Sequence, residues 1–323
     1  YGDTAYSLCG VTHTLSSERI VRVLQNNLIA PSCDWDALIC TSLAAKEVVE
    51  RMLEQHCAYL NERFGSAVKP QFQLPVIPLG VDCERYSELG QSPAGDALRQ
   101  RLGIADHHVT FLFAGRLSFH SKAHPLPMLI AAEQAQSQCP ETPIHMLLAG
   151  QFFNDSLRRE FERAIAMHPS IKVHIVDGAD NEAMVAAWAA ADVFVSLSDN
   201  IQETFGLTPI EAMAAGLPCL VSDWNGYRDT VSEDCGIRVP TKIPSGKMTE
   251  QLAQRYALGL ESYDRYIGAV AMMTEVDVAA TATAMQSLAS APELRQKMGA
   301  AGRQRAREYY DWSVVIKSYQ QLW

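Results

Sequence analysis

Four charged residues stand out because their types and spacing suggest a binding site: Glu203, Glu211, Arg116 and Lys122. The two glutamates flank the predicted start of a helix, where free backbone N–H groups from Phe205 to Ile210 would attract phosphate. Because carboxylates repel a diphosphate, the glutamates should face hydroxyl groups while the cations face the phosphates. The residue types therefore predict a site that binds phosphate on one side and hydroxyl groups on the other.

The helix between the glutamates has recognisable start and stop signals. Thr208 is expected to be its N-cap, Pro209 its first residue, and Gly216 its end. Glu211 would then complete a capping box with Thr208, which explains this glutamate without any ligand. A ligand role remains compatible with capping, because a carboxylate has two oxygens. Glu203 lies before the helix and has no such explanation.

The two cations follow the end of a predicted strand. Gly115 lets the backbone bend there, so that Arg116 turns into the crevice beside the sheet, and Lys122 comes shortly afterwards. The alternative interpretation of Arg116 is a solvated surface arginine. Its position at the carboxyl end of a strand favours a binding role, because ligands bind at that edge of open α/β sheets.

The elements that would position these residues alternate between strands and helices. Apolar or β-branched runs predict strands at 109–115, 144–150, 171–176, 192–198, 218–222 and 236–240. Apolar residues at helical spacing predict helices at 126–138, 157–167 and 181–190. Such an alternation indicates a parallel sheet covered on both faces, so the predicted fold class is a doubly wound α/β domain.

The front of the chain repeats this pattern over a shorter stretch. Strands are expected at 6–12, 37–41 and 75–79, and helices at 17–29 and 43–64. Residues 77–80 and 90–95 are typical of a linker between two units. After Gly246 the pattern is entirely helical.

Composition limits the function classes. The 323 residues are 48% hydrophobic, and at roughly 150 residues per domain the length suggests two domains. A formal net charge of −10 argues against nucleic-acid binding, which needs a basic face. The eight cysteines form no C-x-x-C pair, which indicates reduced, buried thiols and a cytoplasmic location. The longest apolar stretch, 183–197, contains Asp192 and is too short to span a membrane.

Several motifs together resemble one known family. The segment from Glu203 to Glu211, followed by Ala-Met-Ala-Ala-Gly-Leu-Pro, resembles a Glu-x7-Glu signature, and Gly115-Arg116 with Lys122 resembles a diphosphate clamp. Further likeness lies at 77–82, 222–226 and 310–312. The family is that of the family 4 retaining glycosyltransferases (glycosyl transferases group 1), which have the GT-B fold of two facing Rossmann-like domains.

The resemblance implies a role for each site residue. Arg116 and Lys122 would bind the donor diphosphate, and Glu211 would bind ribose hydroxyls. Glu203 would hold the transferred sugar together with the loop that follows it, which consists of Thr204, Phe205, Gly206 and Leu207 and acts largely through backbone N–H groups. His13, otherwise interpreted as an ordinary strand-end histidine, would contact the sugar near its reacting carbon. Backbone groups near 176–179 would contact the base.

The resulting hypothesis is a hexosyltransferase that moves a sugar from a nucleotide-diphosphate sugar to an acceptor hydroxyl with retention of configuration. It would need no metal and no cofactor, which the absence of an Asp-x-Asp triplet fits. The acceptor would be a sugar, a lipid-linked sugar or another hydroxyl compound. The alternatives are a nucleotide-binding protein without turnover, and another GT-B activity such as an epimerase or a phosphorylase.

Three segments are expected as domains. Residues 1–88 would be an incomplete, acceptor-side Rossmann-like domain, residues 89–308 the donor-binding domain, and residues 309–323 a helix that packs back on the first. Because the chain begins at Tyr1 and lacks the strand and glycine-rich turn that open such a front domain, it is expected to be a shortened form of a longer enzyme.

Other polar residues receive structural interpretations. His120 and His124 have the spacing of a helical metal pair, but the prolines that follow argue against a helix there. Three late arginines are expected on a solvated helix face, with peripheral contact to a membrane as the alternative: Arg303, Arg305 and Arg307.

Overall fold

The computed structural model describes residues 5–243 and 247–323. Tyr1 and Gly246, on which two of the expectations above rest, lie outside the described residues. The strands of the described part are β1 (Cys9–Val11), β2 (Ala37–Ile39), β3 (Val109–Ala114), β4 (Ile144–Gly150), β5 (Lys172–Asp177), β6 (Val193–Ser196), β7 (Cys219–Ser222), β8 (Gly236–Val239), β9 (Thr241–Lys242) and β10 (Glu275–Val276).

The helices surround these strands. They are α1 (Glu18–Asn27), α2 (Leu43–Phe64), α3 (Cys83–Leu89), α4 (Ala94–Leu102), α5 (Pro125–Gln138), α6 (Asp155–Ala166), α7 (Asn181–Ala190), α8 (Leu207–Ala215), α9 (Tyr227–Thr230), α10 (Lys247–Ala257), α11 (Tyr263–Met273), α12 (Val278–Ser290), α13 (Pro292–Arg305) and α14 (Trp312–Leu322). A π-helical segment, Ala306–Tyr310, joins the last two. No helix within the described ranges is both long enough and apolar enough to cross a lipid bilayer.

A six-stranded parallel sheet forms the centre of the larger unit, with the order β5-β4-β3-β6-β7-β8. All six predicted strands are confirmed, with ends that differ by two residues at most. The chain leaves β3 toward one edge of the sheet and returns to β6 beside it, so the order reverses between these two strands. In doubly wound sheets a crevice opens at this point, outside the carboxyl ends of the strands.

Side chains of the central strands alternate between two apolar cores. Leu112 and Phe194 pack on the side of α7 and α8, whereas Phe111 and Phe113 pack on the side of α5 and α12. All four are 2% exposed or less. Each buried phenylalanine contributes about 1.5–3 kcal/mol relative to an exposed one, so the sheet is a rigid platform for the loops at its edges.

The front unit is smaller and its sheet contains only β1 and β2, which pair in parallel. The third expected strand, 75–79, is not formed as such. The chain there runs beside β2 through isolated bridges, such as that between Cys40 and Val76. Pro75 and Pro78 have no N–H group to donate, which explains why the ladder is incomplete.

The region between the units also differs from the expectation. Instead of a linker, it contains α3, which packs against α8, and α4, which packs against α7. The last part of the chain is not entirely helical, because β10 pairs with β9. In the final helix, Val315 packs against Ile39 and Ile77 of the front unit, as expected for a helix that returns to it. The domain boundaries themselves remain a prediction.

Candidate functional site

A cleft of about 350 Å³ lies at the carboxyl ends of β3 and β6, between the two units. Its back wall comes from the loops that follow these strands, and its front wall from the loops that follow β1 and β2. The structure brings most of the predicted site residues into this cleft: His13, Arg116, Lys122, Glu203, Thr204, Phe205, Gly206 and Leu207. Gly115 lies directly behind them, at the end of β3.

Lys122 and Glu203 form an ion pair in the cleft, with 2.6 Å between Nζ and Oε2. Both side chains are mostly buried. Burial opposes the charge of Lys122, but Tyr227 and the paired Glu203 outweigh this effect and raise its pKa. The sequence predicted a lysine for phosphate and a glutamate for sugar, and the structure shows the two side chains paired with each other in the cleft.

Arg116 is the cation that stays available. Its side chain is exposed, and no hydrogen bond or ion pair joins it to the residues that the structure describes. It borders both the cleft and a neighbouring cavity of about 540 Å³, which is also lined by residues 151–153 after β4. That cavity is large enough for a nucleoside, and residues 176–179, expected near the base, are not among those that line it.

The capping prediction for α8 is wrong. The helix begins at Leu207 and its N-cap is Gly206, with φ 95° and no side-chain cap. A Cβ atom at Gly206 would lie 2.3 Å from the Tyr227 ring, so glycine is required both by conformation and by space. Thr208 and Pro209 are therefore the second and third helical residues. No described side chain caps the helix, and its first residues line the cleft. The predicted role of its free N–H groups in binding phosphate stays a prediction.

Glu211 is not a capping-box residue, since it lies in the second turn of α8. Its carboxylate bonds to the hydroxyl of Tyr86 on α3, and burial raises the pKa of Glu211. It does not line the cleft described above. The predicted ribose contact is therefore untested, and the structure shows a glutamate that ties α8 to α3.

Hydrogen bonds join the two sides of the cleft. The Thr204 hydroxyl donates to the His13 carbonyl at 2.8 Å, and the Ser42 hydroxyl donates to the Thr204 carbonyl at 2.6 Å. The Leu43 N–H donates to Asp229 Oδ2 at 2.6 Å, so a carboxylate of one unit meets the start of α2 in the other. These bonds hold His13 and the Glu203 loop on facing sides of one cleft.

Sequence reasoning missed two polar residues at strand ends. Thr41, after β2, lines the cleft and is 2% exposed, and its hydroxyl has no hydrogen-bond partner among the described residues. Asp199, after β6, is 3% exposed; Oδ2 accepts the His124 N–H at 3.1 Å and Oδ1 has no partner. Burial raises the pKa of Asp199 to about 7. Their position at carboxyl ends of strands was the signal available in the sequence.

Histidines near the cleft have structural roles. His124 Nδ1 accepts the Leu126 N–H and thereby caps α5, and His120 Nδ1 lies 3.2 Å from the Ser118 hydroxyl. Within residues 5–243 and 247–323, no three His, Cys, Asp or Glu side chains are arranged to hold a metal ion.

Two expectations for side-chain exposure are wrong. Arg303 donates to the carbonyl of Ala215, the last residue of α8, and Arg305 donates to the carbonyl of Thr230, the last residue of α9. Arg307 is the exposed member of the three. They do not form one basic surface for a membrane. Cys9 is exposed, whereas the sequence predicted buried thiols.

Comparisons with known proteins agree with this geometry. The family profile described as "Glycosyl transferases group 1" matches residues 95–267, more than half of the chain. A D-inositol 3-phosphate glycosyltransferase of Geodermatophilus obscurus is 29% identical over 229 residues, which are 68% of this chain and 49% of that protein. A phosphatidyl-myo-inositol mannosyltransferase of Mycobacterium leprae is 27% identical over 313 residues, which are 96% of this chain and 65% of that protein.

The structure of sucrose-phosphate synthase from Thermosynechococcus elongatus has a TM-score of 0.62 and 23% identity, over 97% of this chain and 66% of that one. At this identity the likeness concerns the fold, and it agrees with the expected GT-B layout of Rossmann-like units. The chain spans about half the length, or less, of several curated relatives that it matches.

Proposed function

The chain belongs to the glycosyl transferases group 1 family, and from this premise we propose that it moves a sugar from a nucleotide-diphosphate sugar to an acceptor hydroxyl. One observation carries the proposal: Arg116, Lys122, Glu203 and the uncapped start of α8 meet in one cleft at the point where the strand order reverses. Cations and helix N–H groups there suit a diphosphate, and the carboxylate suits sugar hydroxyls.

The phosphate side of the cleft supplies the driving force for bond breaking. When the bond between the sugar carbon and the diphosphate oxygen breaks, the electron pair stays on that oxygen, and the leaving group gains negative charge. Arg116, Lys122 and the α8 N–H groups would stabilise this charge. Fixed donors of this kind each contribute about 10²–10³ in rate.

Lys122 must change partners for this role. In the structure its charge is neutralised by Glu203. A diphosphate offers a stronger negative charge than one carboxylate, so the lysine would turn toward the phosphate and release Glu203 to a sugar hydroxyl. Donor binding would thus direct both residues to the substrate at once.

The front wall would contact the sugar and the acceptor. His13 lines the cleft opposite Glu203, which supports its role near the reacting carbon. The unpartnered Thr41 hydroxyl lines the same wall and is suited to bind another hydroxyl group. A sugar, a lipid-linked sugar or another hydroxyl compound would fit, and the names of two relatives contain inositol compounds. Peripheral contact with a membrane would need a surface other than the three late arginines.

The finer features are part of the proposal. These are assignment to family 4, transfer of a hexose with retention of configuration, and a cytoplasmic location. Transfer without a metal or cofactor is also proposed, because Arg116 and Lys122 carry the positive charge that a metal ion would otherwise supply. Equal transfer rates with and without a chelator would support this, and loss of activity with the chelator would overturn it.

The donor site is tested by thermal unfolding with uridine, guanosine and adenosine diphosphate, each alone and as its sugar derivative. We expect one nucleotide to raise the Tm in a concentration-dependent way, because a ligand that binds only the folded state stabilises it. If none of them does so, the donor-site proposal is wrong. Slow release of the nucleotide from its sugar derivative distinguishes an enzyme from a nucleotide-binding protein without turnover.

A further inference from the structure

Tyr227 lies directly behind the cleft and is completely buried. It is the first residue of α9, and its N–H donates to the Trp224 carbonyl at 3.0 Å. Its ring packs on Gly206 so closely that a Cβ atom at that glycine would lie 2.3 Å from Cε1 of the tyrosine. The ring therefore fixes the backbone at the start of α8.

The hydroxyl of Tyr227 continues a line of hydrogen bonds that ends at the site carboxylate. It lies 2.9 Å from the Ser196 hydroxyl and donates to Glu203 Oε2 at 3.5 Å. Burial and the neighbouring Glu203 raise the pKa of Tyr227, so the phenol keeps its proton. Because a carboxylate only accepts, the tyrosine donates to Glu203 and accepts from Ser196.

Lys122 and Tyr227 bond to the same carboxylate oxygen, Oε2 of Glu203. The other oxygen, Oε1, makes no hydrogen bond to a described residue. The Glu203 side chain lines the cleft. The arrangement thus fixes one oxygen of Glu203 and leaves the second for a ligand.

The segment around Tyr227 supports the whole loop that carries Glu203. A Cβ atom at Gly226 would lie 2.4 Å from Phe205 Cα and 2.5 Å from the Thr204 carbonyl oxygen, so the two backbones are in direct contact. The indole N–H of Trp224 donates to the Asn200 carbonyl at 3.0 Å. The loop therefore rests on residues 224–227 at both of its ends.

We propose that Tyr227, oriented by Ser196, is a positioning residue that holds the Glu203 carboxylate for a sugar hydroxyl when Lys122 turns to the donor phosphate. This inference rests on the proposed function and names how its sugar side is kept in place. The bond to Glu203 is long, at 3.5 Å, and such bonds often tighten only in the substrate complex. Without this bond, the released carboxylate would lose its remaining protein donor and rotate freely.

The informative variant is Tyr227→Phe, which keeps the ring against Gly206 and removes only the hydroxyl. Ser196→Ala, which removes the orienting partner, is the second variant. Tyr310→Phe is the matched control, because Tyr310 is also buried and packs on Phe205, while its hydroxyl donates to the Asp229 carbonyl and not to the site.

The experiment uses the whole chain and measures two quantities. The first is the affinity for uridine, guanosine or adenosine diphosphate, whichever protects the wild-type protein. The second is kcat and KM for nucleotide release from UDP-glucose, GDP-mannose or ADP-glucose. For Tyr227→Phe we expect unchanged diphosphate affinity and a fall of about tenfold in kcat/KM for the sugar donor, the size of one hydrogen bond to a charged group.

Ser196→Ala should change kcat/KM in the same direction by a smaller factor, and Tyr310→Phe should change neither quantity. Wild-type kinetics in Tyr227→Phe, or an equal loss of diphosphate affinity, would overturn the positioning role. A wild-type protein that binds no nucleotide would instead overturn the proposed function, so the two failures are distinguishable.

Discussion

The two ends of the strands in the six-stranded sheet hold polar side chains of similar kinds in different states. At the amino ends, Arg99 makes five hydrogen bonds, including one of 2.9 Å to Asp192 just before β6. At the carboxyl ends, Arg116 extends into the cleft without a partner among the described residues. An arginine thus stabilises the fold at one edge of the sheet, and an arginine at the other edge is available to a ligand.

Histidines extend the comparison. At the amino ends, three histidines lie in a row: His108 just before β3, His145 in β4 and His174 in β5. The ring nitrogens of neighbouring histidines are 3.0 and 3.1 Å apart. The Ala105 N–H donates to His108 Nδ1, which sets the direction of the row, so each ring accepts from the next. At the carboxyl ends, by contrast, the buried Asp199 after β6 has one carboxylate oxygen, Oδ1, without a hydrogen-bond partner among the described residues.

The two edges of the sheet differ in whether their polar groups have hydrogen-bond partners. A buried polar group with all its bonds formed stabilises the fold, whereas an unpaired one costs free energy until a ligand supplies its partner. The amino ends of the strands therefore contribute stability, and the carboxyl ends hold the groups that await a substrate. Five substitutions test this division.

The largest effect is expected for Arg99→Ala. The substitution leaves the partly buried Asp192 without its cation and should lower the free energy of unfolding by about 3 kcal/mol or more. Urea denaturation measures this loss. Nucleotide affinity of the folded variant should stay unchanged, and a loss below about 1 kcal/mol would contradict the structural role.

Arg116→Ala is the counterpart at the other edge. Because Arg116 is exposed and has no side-chain partner among the described residues, the free energy of unfolding should change by less than about 0.5 kcal/mol. The rate of sugar transfer or donor hydrolysis should fall by about 10²–10³ through the loss of one phosphate donor. Arg101→Ala, an exposed arginine on α4, is the control and should change neither quantity. Normal activity of Arg116→Ala would remove this residue from the site.

The two edges should also respond to pH with opposite sign. Burial, with His174 and His108 nearby, lowers the pKa of His145 to about 4. An unfolded histidine takes up its proton near pH 6.5, so between pH 6.5 and 4 the unfolded state binds more protons and stability falls on acidification. The slope is at most about 1.4 kcal/mol per pH unit for this one group. His145→Gln should flatten it, as unfolding at a series of pH values would reveal.

Asp199 contributes the opposite slope. Its pKa of about 7 lies above that of an unfolded aspartate, so the folded state binds more protons in this range and stability falls as pH rises toward 7. Asp199→Asn should therefore stabilise the protein more at pH 8 than at pH 5. A stability gain that is independent of pH would show that Asp199 is not a titrating group in this range.

The smallest effect is expected at Thr41. Replacing its unpartnered hydroxyl in Thr41→Val should raise the free energy of unfolding by about 1 kcal/mol and weaken binding of the sugar donor or acceptor. Thr12→Val is the matched variant, because Thr12 Oγ1 accepts the Thr41 N–H at 3.2 Å and its loss should destabilise the protein. Equal destabilisation by both variants would contradict the assignment of the Thr41 hydroxyl as an unpartnered group.

Much of the fold was predictable because its signals are local. Six continuously apolar runs predicted the strands of the main sheet, and β4 has the predicted bounds of 144–150. The third front strand failed because Pro75 and Pro78 interrupt the ladder of an otherwise apolar run. The cap of α8 failed because Thr208 and Glu211 match a capping box in sequence, while the turn is set by contact between Gly206 and the distant Tyr227.

The sequence alone was enough to predict the α/β class, the edge of the sheet at which the site lies, and the residue types in that site. Apolar periodicity and strand ends depend on residues that are neighbours in the chain, so the sequence alone predicts them. Only the tertiary structure decided the partners: Lys122 with Glu203, Glu211 with Tyr86, Tyr227 behind Gly206, and Arg305 on a backbone carbonyl. These pairs join residues that are far apart in the chain. The sequence around a charged group or a hydroxyl does not indicate which distant group the fold places beside it.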